Sequence, residues 1–140
     1  MITQTDLMLQ AAIGYARRGW RVFPCRPKDK RPIKGLEWRK YATSDEEMIR
    51  EWWGKLWPDA NIGLATGGAS GVVVLDVDGE EGERSLEELE AAYGELPRTL
   101  EARTGGGGRH IFFKAPNWYV PNSVKKIGKN LDIRGDGGYI

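Results

Sequence analysis

The chain has 140 residues, enough for one domain with its own hydrophobic core, and 40% hydrophobic with 29% charged residues is typical of a soluble globular protein. Cys25 is the only cysteine and His110 the only histidine, which excludes an internal disulfide, a cysteine zinc site and a multi-histidine metal centre. No apolar run approaches the roughly 20 residues that span a bilayer, and no signal peptide is visible. We therefore expect a cytoplasmic protein that does not enter membranes.

The first half of the chain alternates helical and extended patterns. The predicted elements are helices over residues 5–18 and 44–53 and strands over residues 20–25 and 61–66. The second helix opens on a capping box at residues 44–47. Before it, residues 26–35 form a basic loop that contains two prolines. The patterns predict mixed α and β structure rather than a helix bundle.

The second half predicts one helix among several strands that form hairpins. The predicted elements are a strand from residue 71, a helix over 83–93, strands over 100–103, 110–114 and 130–134, and a strand from 138 that ends at Ile140. The fold class is therefore predicted to be α+β. We expect the chain to stop inside its domain, because its last strand is cut short.

Charge is distributed unevenly although the formal net charge is only +1. Residues 17–40 contain ten Lys or Arg against Asp29 and Glu37, whereas residues 76–101 are strongly acidic. The asymmetry suits a site that binds a metal near a polyanion. Two solvated surface faces are the alternative, and charge alone does not exclude it.

A strand of β-branched residues ends in two acids, Asp76 and Asp78. Side chains alternate along a strand, so both carboxylates are predicted to point the same way, with Cβ atoms about 6.5 Å apart. This spacing lets them share divalent ions such as Mg²⁺ or Mn²⁺, whose preferred ligands are oxygens. A strand that runs into a solvated acidic turn is the open alternative.

Four consecutive glycines precede the only histidine, His110, and Arg103 and Arg109 flank them. Such a loop can turn backbone N–H groups toward an anion, as phosphate-binding nests do. A lone histidine is more often structural, but its place beside this loop favours a functional role. The segment therefore predicts a phosphate-binding site.

A third acid, Asp132, stands between two apolar residues in a predicted strand and shares a face with Arg134. A salt bridge between the two is the simpler explanation. Together with Asp76 and Asp78, however, Asp132 supplies a third carboxylate for two metal ions. That arrangement is used for in-line phosphoryl transfer. Asp136 follows in a glycine-rich turn and is predicted to be a turn residue.

In these features the chain resembles the bifunctional primase/polymerase domain of the archaeo-eukaryotic primase superfamily. The resemblance rests on Gly-Trp-Arg-Val-Phe-Pro at residues 19–24, Lys30-Arg31-Pro32, residues 57–63, Asp-x-Asp at 76 and 78, small-x-His at 108–110 and apolar-Asp at 131–132. The family's small residue at position 108 is often serine, and here it is Gly108. The resemblance implies a primase-polymerase catalytic domain over residues 1–140, incomplete at its C-terminal end. It also implies an RNA-recognition-motif-like antiparallel sheet packed with a small N-terminal α/β unit.

The resemblance also implies the site. Asp76, Asp78 and Asp132 are expected to bind two Mg²⁺ or Mn²⁺ ions, and His110 is expected to contact the triphosphate and complete the catalytic set. Further nucleotide-binding candidates are Arg103, Gly107, Gly108, Arg109, Arg134 and Lys30. A solvated basic loop is an equal alternative for Lys30.

The implied reaction is template-directed nucleotidyl transfer in DNA replication or repair, including that of a plasmid, phage or other mobile element. The implied partners are single-stranded DNA template, primer and nucleoside triphosphates, and the family leaves open a helicase domain or partner. Two alternatives remain: a non-catalytic nucleotide- or nucleic-acid-binding fragment, and a haloacid-dehalogenase-like phosphatase with Asp76 as nucleophile. Against the phosphatase, Glu80 follows the acidic motif where Thr or Val is usual.

Tryptophan is unusually frequent and suits either a core or a base-stacking surface. The six tryptophans are Trp20, Trp38, Trp52, Trp53, Trp57 and Trp118. The i,i+4 spacing of Trp53 and Trp57 favours packing for that pair. Cys25 is predicted to be a small buried hydrophobic residue.

Overall fold

The computed structural model describes residues 3–140, except for the side chains of residues 4 and 5. These residues divide into two compact units. The first unit extends to Ala65 and includes Tyr139–Ile140, and the second unit is Thr66–Gly138. Both units combine helices with antiparallel sheet, so the predicted α+β class is confirmed. Among the described residues, no helix has the length and apolar character needed to cross a bilayer.

The first unit contains three α-helices and a two-stranded antiparallel sheet. Its elements are α1 (Gln4–Arg17), β1 (Val22–Cys25), α2 (Trp38–Tyr41), α3 (Glu46–Glu51), a π-helical segment (Trp52–Leu56) and β2 (Asn61–Leu64). The short helix α2 was not predicted. The N-cap of helix α3 is Asp45 rather than Ser44, because the Asp45 carboxylate accepts a hydrogen bond from the Glu47 N–H.

Aromatic residues fill the core of the first unit. Trp53 is fully buried, and its indole N–H donates to the Ala60 carbonyl at 3.0 Å, which confirms the predicted packing role. Phe23 stacks on Trp38 with ring centroids 4.9 Å apart. Cys25 is buried as predicted, and burial, assisted by Asp29, raises the pKa of its thiol to about 11.

The second unit is a five-stranded antiparallel sheet with one helix. Its elements are β3 (Val72–Val77), α4 (Gly79–Tyr93), β4 (Glu101–Arg103), β5 (Arg109–Lys114), β6 (Ser123–Val124) and β7 (Leu131–Arg134). The strand order is β4-β5-β3-β7-β6, with β3 at the centre. The predicted strand from residue 138 is wrong, because Tyr139 makes only an isolated bridge to Ala65. The edge strand β6 was not predicted.

The two faces of this sheet differ in chemistry because side chains alternate along each strand. Helix α4 contacts β3 and β7, and its Leu86 joins a core on one face. The other core residues are Leu75, Val77, Ile111 and Leu131. Asp76 lies between Leu75 and Val77 in sequence, so it points to the opposite face.

Candidate functional site

Three polar side chains meet across the middle of the second sheet. In the register of the strands, Asp76 on β3 lies directly opposite His110 on β5 and directly opposite Asp132 on β7. Residues paired in this way project from the same face of an antiparallel sheet. Asp132, Asp76 and His110 therefore form a row across three strands, here called the carboxylate row. All three side chains are partly buried.

A guanidinium group lies between the two carboxylates of this row. The Arg134 Nη2 atom is 3.2 Å from Asp132 Oδ2 and 3.8 Å from Asp76 Oδ2. On the other side, His110 Nε2 is 3.5 Å from Asp76 Oδ1. The backbone N–H of Lys125 donates to Asp132 Oδ1 at 2.9 Å. Two neighbouring carboxylates would otherwise repel each other, so Arg134 compensates a negative charge that the fold has concentrated here.

Asp78 lies one residue beyond the end of β3 and occupies the N-cap position of α4, where its side chain makes no capping hydrogen bond. Its backbone is still extended, its N–H donates to the Asn130 carbonyl at 3.0 Å, and it is exposed. Across residues 3–140, no three His, Cys, Asp or Glu side chains are gathered into a group that could hold a metal ion. The structure thus brings Asp76 and Asp132 together without adding Asp78 as a third ligand.

The glycine loop is the tight connection between β4 and β5. Thr104 closes it: the Thr104 N–H donates to the Gly108 carbonyl, and the Gly108 N–H donates back to Thr104 Oγ1, both at 2.9 Å. The Gly107 N–H donates to the Thr104 carbonyl at 3.2 Å. Within the described range 3–140, the N–H groups of Gly105 and Gly106 make no hydrogen bond. These two N–H groups, rather than those of Gly107 and Gly108, are available to an anion.

Gly108 fixes the loop against the end of the central strand. A Cβ atom at this position would lie 2.5 Å from the Val77 carbonyl oxygen and 3.5 Å from the Asp78 Cα. Only glycine fits such a close backbone approach without movement. The loop can therefore lie beside Asp78 because Gly108 has no side chain.

Arg103 and Arg109 lie on the other face of the sheet. They pair with each other in the register, and Arg109 is also opposite Val77, whose side chain faces α4. Arg109 binds Glu83 with two hydrogen bonds of 2.7 and 2.9 Å and also contacts Glu101. The Glu83 carboxylate raises the pKa of Arg109, with Glu101 adding to it. Strand alternation could have revealed this placement, because Arg109 and His110 are neighbours in one strand.

Lys30 belongs to the first unit. Its side chain is exposed, and its carbonyl accepts a hydrogen bond from the Tyr139 hydroxyl at 3.0 Å. The neighbouring Asp29 accepts from the N–H of Lys30 and forms a 2.7 Å ion pair with Arg31. Hydrogen bonds from Arg31 lower the pKa of Asp29 to about 2. Part of the basic loop is thus neutralised locally, while the Lys30 ammonium faces solvent.

Lys125 touches the carboxylate row through its backbone and was not identified from the sequence. The available signal was the Lys125-Lys126 pair, seven residues before the strand acid Asp132. A lysine pair in a loop is too common to indicate a site by itself. Only the pairing of β6 with β7 places Lys125 beside Asp132.

Comparison with known proteins bears on this geometry. The model of the family described as bifunctional DNA primase/polymerase, N-terminal, matches residues 12–140. No curated protein matches the chain. The matched range contains the whole carboxylate row and the glycine loop, and it covers more than half of the chain. The chain therefore belongs to the bifunctional DNA primase/polymerase N-terminal domain family.

Proposed function

We propose that the chain catalyses template-directed nucleotidyl transfer, in which a 3′-hydroxyl attacks the α-phosphate of a nucleoside triphosphate and pyrophosphate leaves. Family membership supports nucleotidyl transfer in general. The observation that carries the proposal for this chain is the pairing of Asp76 with both Asp132 and His110 on one sheet face. In this proposal the substrates are single-stranded DNA template, primer and nucleoside triphosphates.

The two carboxylates of the carboxylate row are oxygen ligands of the kind that Mg²⁺ and Mn²⁺ prefer. Asp76 and Asp132 offer oxygen ligands from adjacent strands, whereas Asp78 lies outside this pair and remains a predicted third ligand. The position of Arg134 supports this fit, because a positive charge between the two carboxylates is already stabilised there. When bound, two such ions supply charge stabilisation for the attacking and leaving oxygens.

Arg134 has a second role in the proposal. Its guanidinium is shared between the two carboxylates, and it would become available for other contacts if a bound cation neutralised them. The freed group remains on the same sheet face, where a planar fork of N–H donors binds phosphate well. Arg134 is therefore assigned both to charge compensation without metal and to the triphosphate with metal.

The triphosphate site in this proposal consists of His110 together with the N–H groups of Gly105 and Gly106. The loop lies beside Asp78 through the close approach of Gly108, so these donors are near the acidic end of β3. Arg103 and Arg109 are left out, because they project from the other face and Arg109 is held by Glu83 and Glu101. Lys30 remains a prediction within the first unit.

The test is primer extension and dinucleotide synthesis on a single-stranded template with Mg²⁺ or Mn²⁺. Asp76→Asn and Asp132→Asn should each lower the rate at least about 100-fold, as expected when a group that stabilises transition-state charge is lost. Glu87→Gln is the matched control, since Glu87 is an exposed carboxylate on α4. The proposal fails if Asp76→Asn retains the activity of the control. A protein that binds nucleotide without any transfer would instead support the binding-fragment alternative.

A further inference from the structure

A long basic segment of the second unit extends beyond the proposed catalytic site. Residues 102–131 contain no Asp or Glu, whereas residues 76–101 contain ten. The basic residues of the segment are Arg103, Arg109, Lys114, Lys125, Lys126 and Lys129. Arg109 is held by Glu83 and Lys129 forms a 3.0 Å ion pair with Glu81. The side chains of Lys125 and Lys126 are exposed and form no ion pair with any residue between 3 and 140.

Two large aromatic side chains of the same segment face solvent. Trp118 is 73% exposed and Tyr119 is 72% exposed. They line a cavity of about 200 Å³ together with Val73 and Asn117. Exposed adjacent aromatic residues cost hydrophobic free energy, so a partner that stacks on them is the natural explanation.

The aromatic pair and the lysine pair lie at opposite ends of one sheet edge. Between them the chain runs beside β7: Val120 exchanges hydrogen bonds with Asp136, and β6 pairs with β7 at Val124 and Asp132. The chain between the two pairs is in strand conformation at Ser123–Val124 and bends at Trp118 and at Lys125, where φ is +56°. At its lysine end the Lys125 N–H donates directly to Asp132 of the carboxylate row. We call Trp118, Tyr119, Lys125 and Lys126 the aromatic–lysine edge.

We propose that the aromatic–lysine edge binds the single-stranded DNA template and leads it toward the carboxylate row. The inference rests on the proposed function, because it assigns the template to a surface beside that site. Bases stack on Trp118 and Tyr119, which is the way sequence-tolerant proteins hold single strands. Phosphates meet Lys125 and Lys126, whose side chains are exposed and form no ion pair with any residue between 3 and 140. Exposed aromatic residues alone would also suit a protein partner. The exposed lysines of the same edge favour a polyanion instead.

The lysine half is tested by binding of a fluorescent oligothymidine of about 12 nucleotides to the 140-residue chain in EDTA, measured by anisotropy at several salt concentrations. Lys125→Gln/Lys126→Gln should weaken binding and reduce the magnitude of the salt slope by about 1.4, since each phosphate contact on a single strand contributes about 0.7. The matched control is Arg84→Gln/Arg98→Gln, which removes two exposed charges of the same sign from α4 and the loop after it. The control should leave the slope near that of the unmodified chain.

The aromatic half is tested with Trp118→Ala and Tyr119→Ala. Each should weaken oligothymidine binding about 5- to 150-fold, the range for loss of one stacked base. An abasic strand of equal length should bind the variants and the unmodified chain alike, because it has no base to stack. Tyr93→Ala is the control, since Tyr93 is 87% exposed at the end of α4. Circular dichroism melts of all variants check that each remains folded.

The outcomes separate this inference from the proposed function. Unchanged affinity in all edge variants overturns the inference even if primer extension remains intact. Edge variants that bind DNA normally but aggregate would also overturn the inference. The lysines and the proline of this edge would then serve to prevent edge-to-edge association of sheets. Self-association of the unmodified chain that Trp118→Ala abolishes, with DNA affinity unchanged, would assign the edge to a protein interface. Edge-dependent DNA binding without any nucleotide transfer would support the surface and contradict the catalytic proposal.

Discussion

At the residue scale, the Asp136 carboxylate binds two backbone N–H groups from distant parts of the chain. Its Oδ1 accepts the Gly68 N–H and its Oδ2 accepts the Val120 N–H, both at 2.8 Å. These hydrogen bonds lower the pKa of the Asp136 carboxyl, the Gly68 bond being the larger cause. The sequence marked Asp136 only as a turn residue, whereas the structure shows that it ties two loops of the second unit together.

Asp136→Asn is predicted to destabilise the chain at neutral pH by about 1–2 kcal/mol, because one of two charge-assisted hydrogen bonds is lost at a partly exposed site. The folded pKa lies below the unfolded value of about 3.9, so the stabilisation is present above that value and is lost as the pH falls through the folded pKa. Urea unfolding of the unmodified chain and of Asp136→Asn, at pH 7 and near pH 3, measures this loss of stabilisation.

The difference between the two chains should shrink at the lower pH. Asp59→Asn is the control, since Asp59 is an exposed carboxylate in the turn before β2. An equal difference at both pH values would contradict the ionised role of Asp136.

At the scale of elements, the hairpin of β4 and β5 depends on which glycine stands where. Gly107 adopts φ +85°, a conformation that L side chains rarely adopt, and Gly108 packs its Cα against the backbone of Val77. Gly106 has open space around its Cα and no positive φ. The run of four glycines is therefore not uniform, and only part of it is required by the fold.

Gly108→Ala is predicted to destabilise the chain by about 1–3 kcal/mol, since the new methyl group must push the loop away from β3. Gly106→Ala should change the free energy of unfolding by less than about 0.5 kcal/mol. Chemical denaturation of the two variants provides the comparison. Equal stability of the two variants would show that the loop can move away from β3 at little cost in free energy. Serine at position 108, frequent in the family, would meet the same Val77 oxygen here.

At the scale of the whole molecule, the chain leaves the first unit after Ala65 and returns to it at Tyr139. Leu64 and Ile140 exchange two backbone hydrogen bonds of 2.9 and 3.0 Å. The Tyr139 ring packs edge-on against Phe23 and Trp38, with centroid separations of 5.2 and 4.9 Å. Stability of the first unit thus depends on residues that the chain supplies after completing the second.

Tyr139→Ala is predicted to destabilise the first unit by about 2–4 kcal/mol, because a large ring leaves the aromatic cluster. Tyr139→Phe keeps the ring, removes the hydroxyl that donates to the Lys30 carbonyl, and should cost about 1 kcal/mol. Tryptophan fluorescence reports the unfolding, since Trp38 lies in the cluster. A Tyr139→Ala chain as stable as Tyr139→Phe would show that the ring contacts contribute little.

Alternation within strands explains how far the candidate site could be predicted. It placed Asp132 and Arg134 on one face, and the register confirms that placement. Applied to Arg109 and His110, the same rule would have separated them. The strand predicted from residue 138 does not form, because only Tyr139 bridges to Ala65. The extent of this pairing is set by a distant segment of the chain and cannot be read from the local pattern. Strand β6 was missed because two residues are too short to carry a period.

The sequence by itself determined the α+β class, most element positions and the motif order that identifies the family, because periodicity and spacing are local properties of the chain. Only the tertiary structure decided that Asp76 faces both Asp132 and His110, that Arg134 lies between the carboxylates, and that Arg103 and Arg109 project from the other face. Those facts depend on strand order and register, which are set by pairing between distant segments and by burial of the α4 face. The aromatic–lysine edge belongs with them, since its two ends are joined only by pairing along β7.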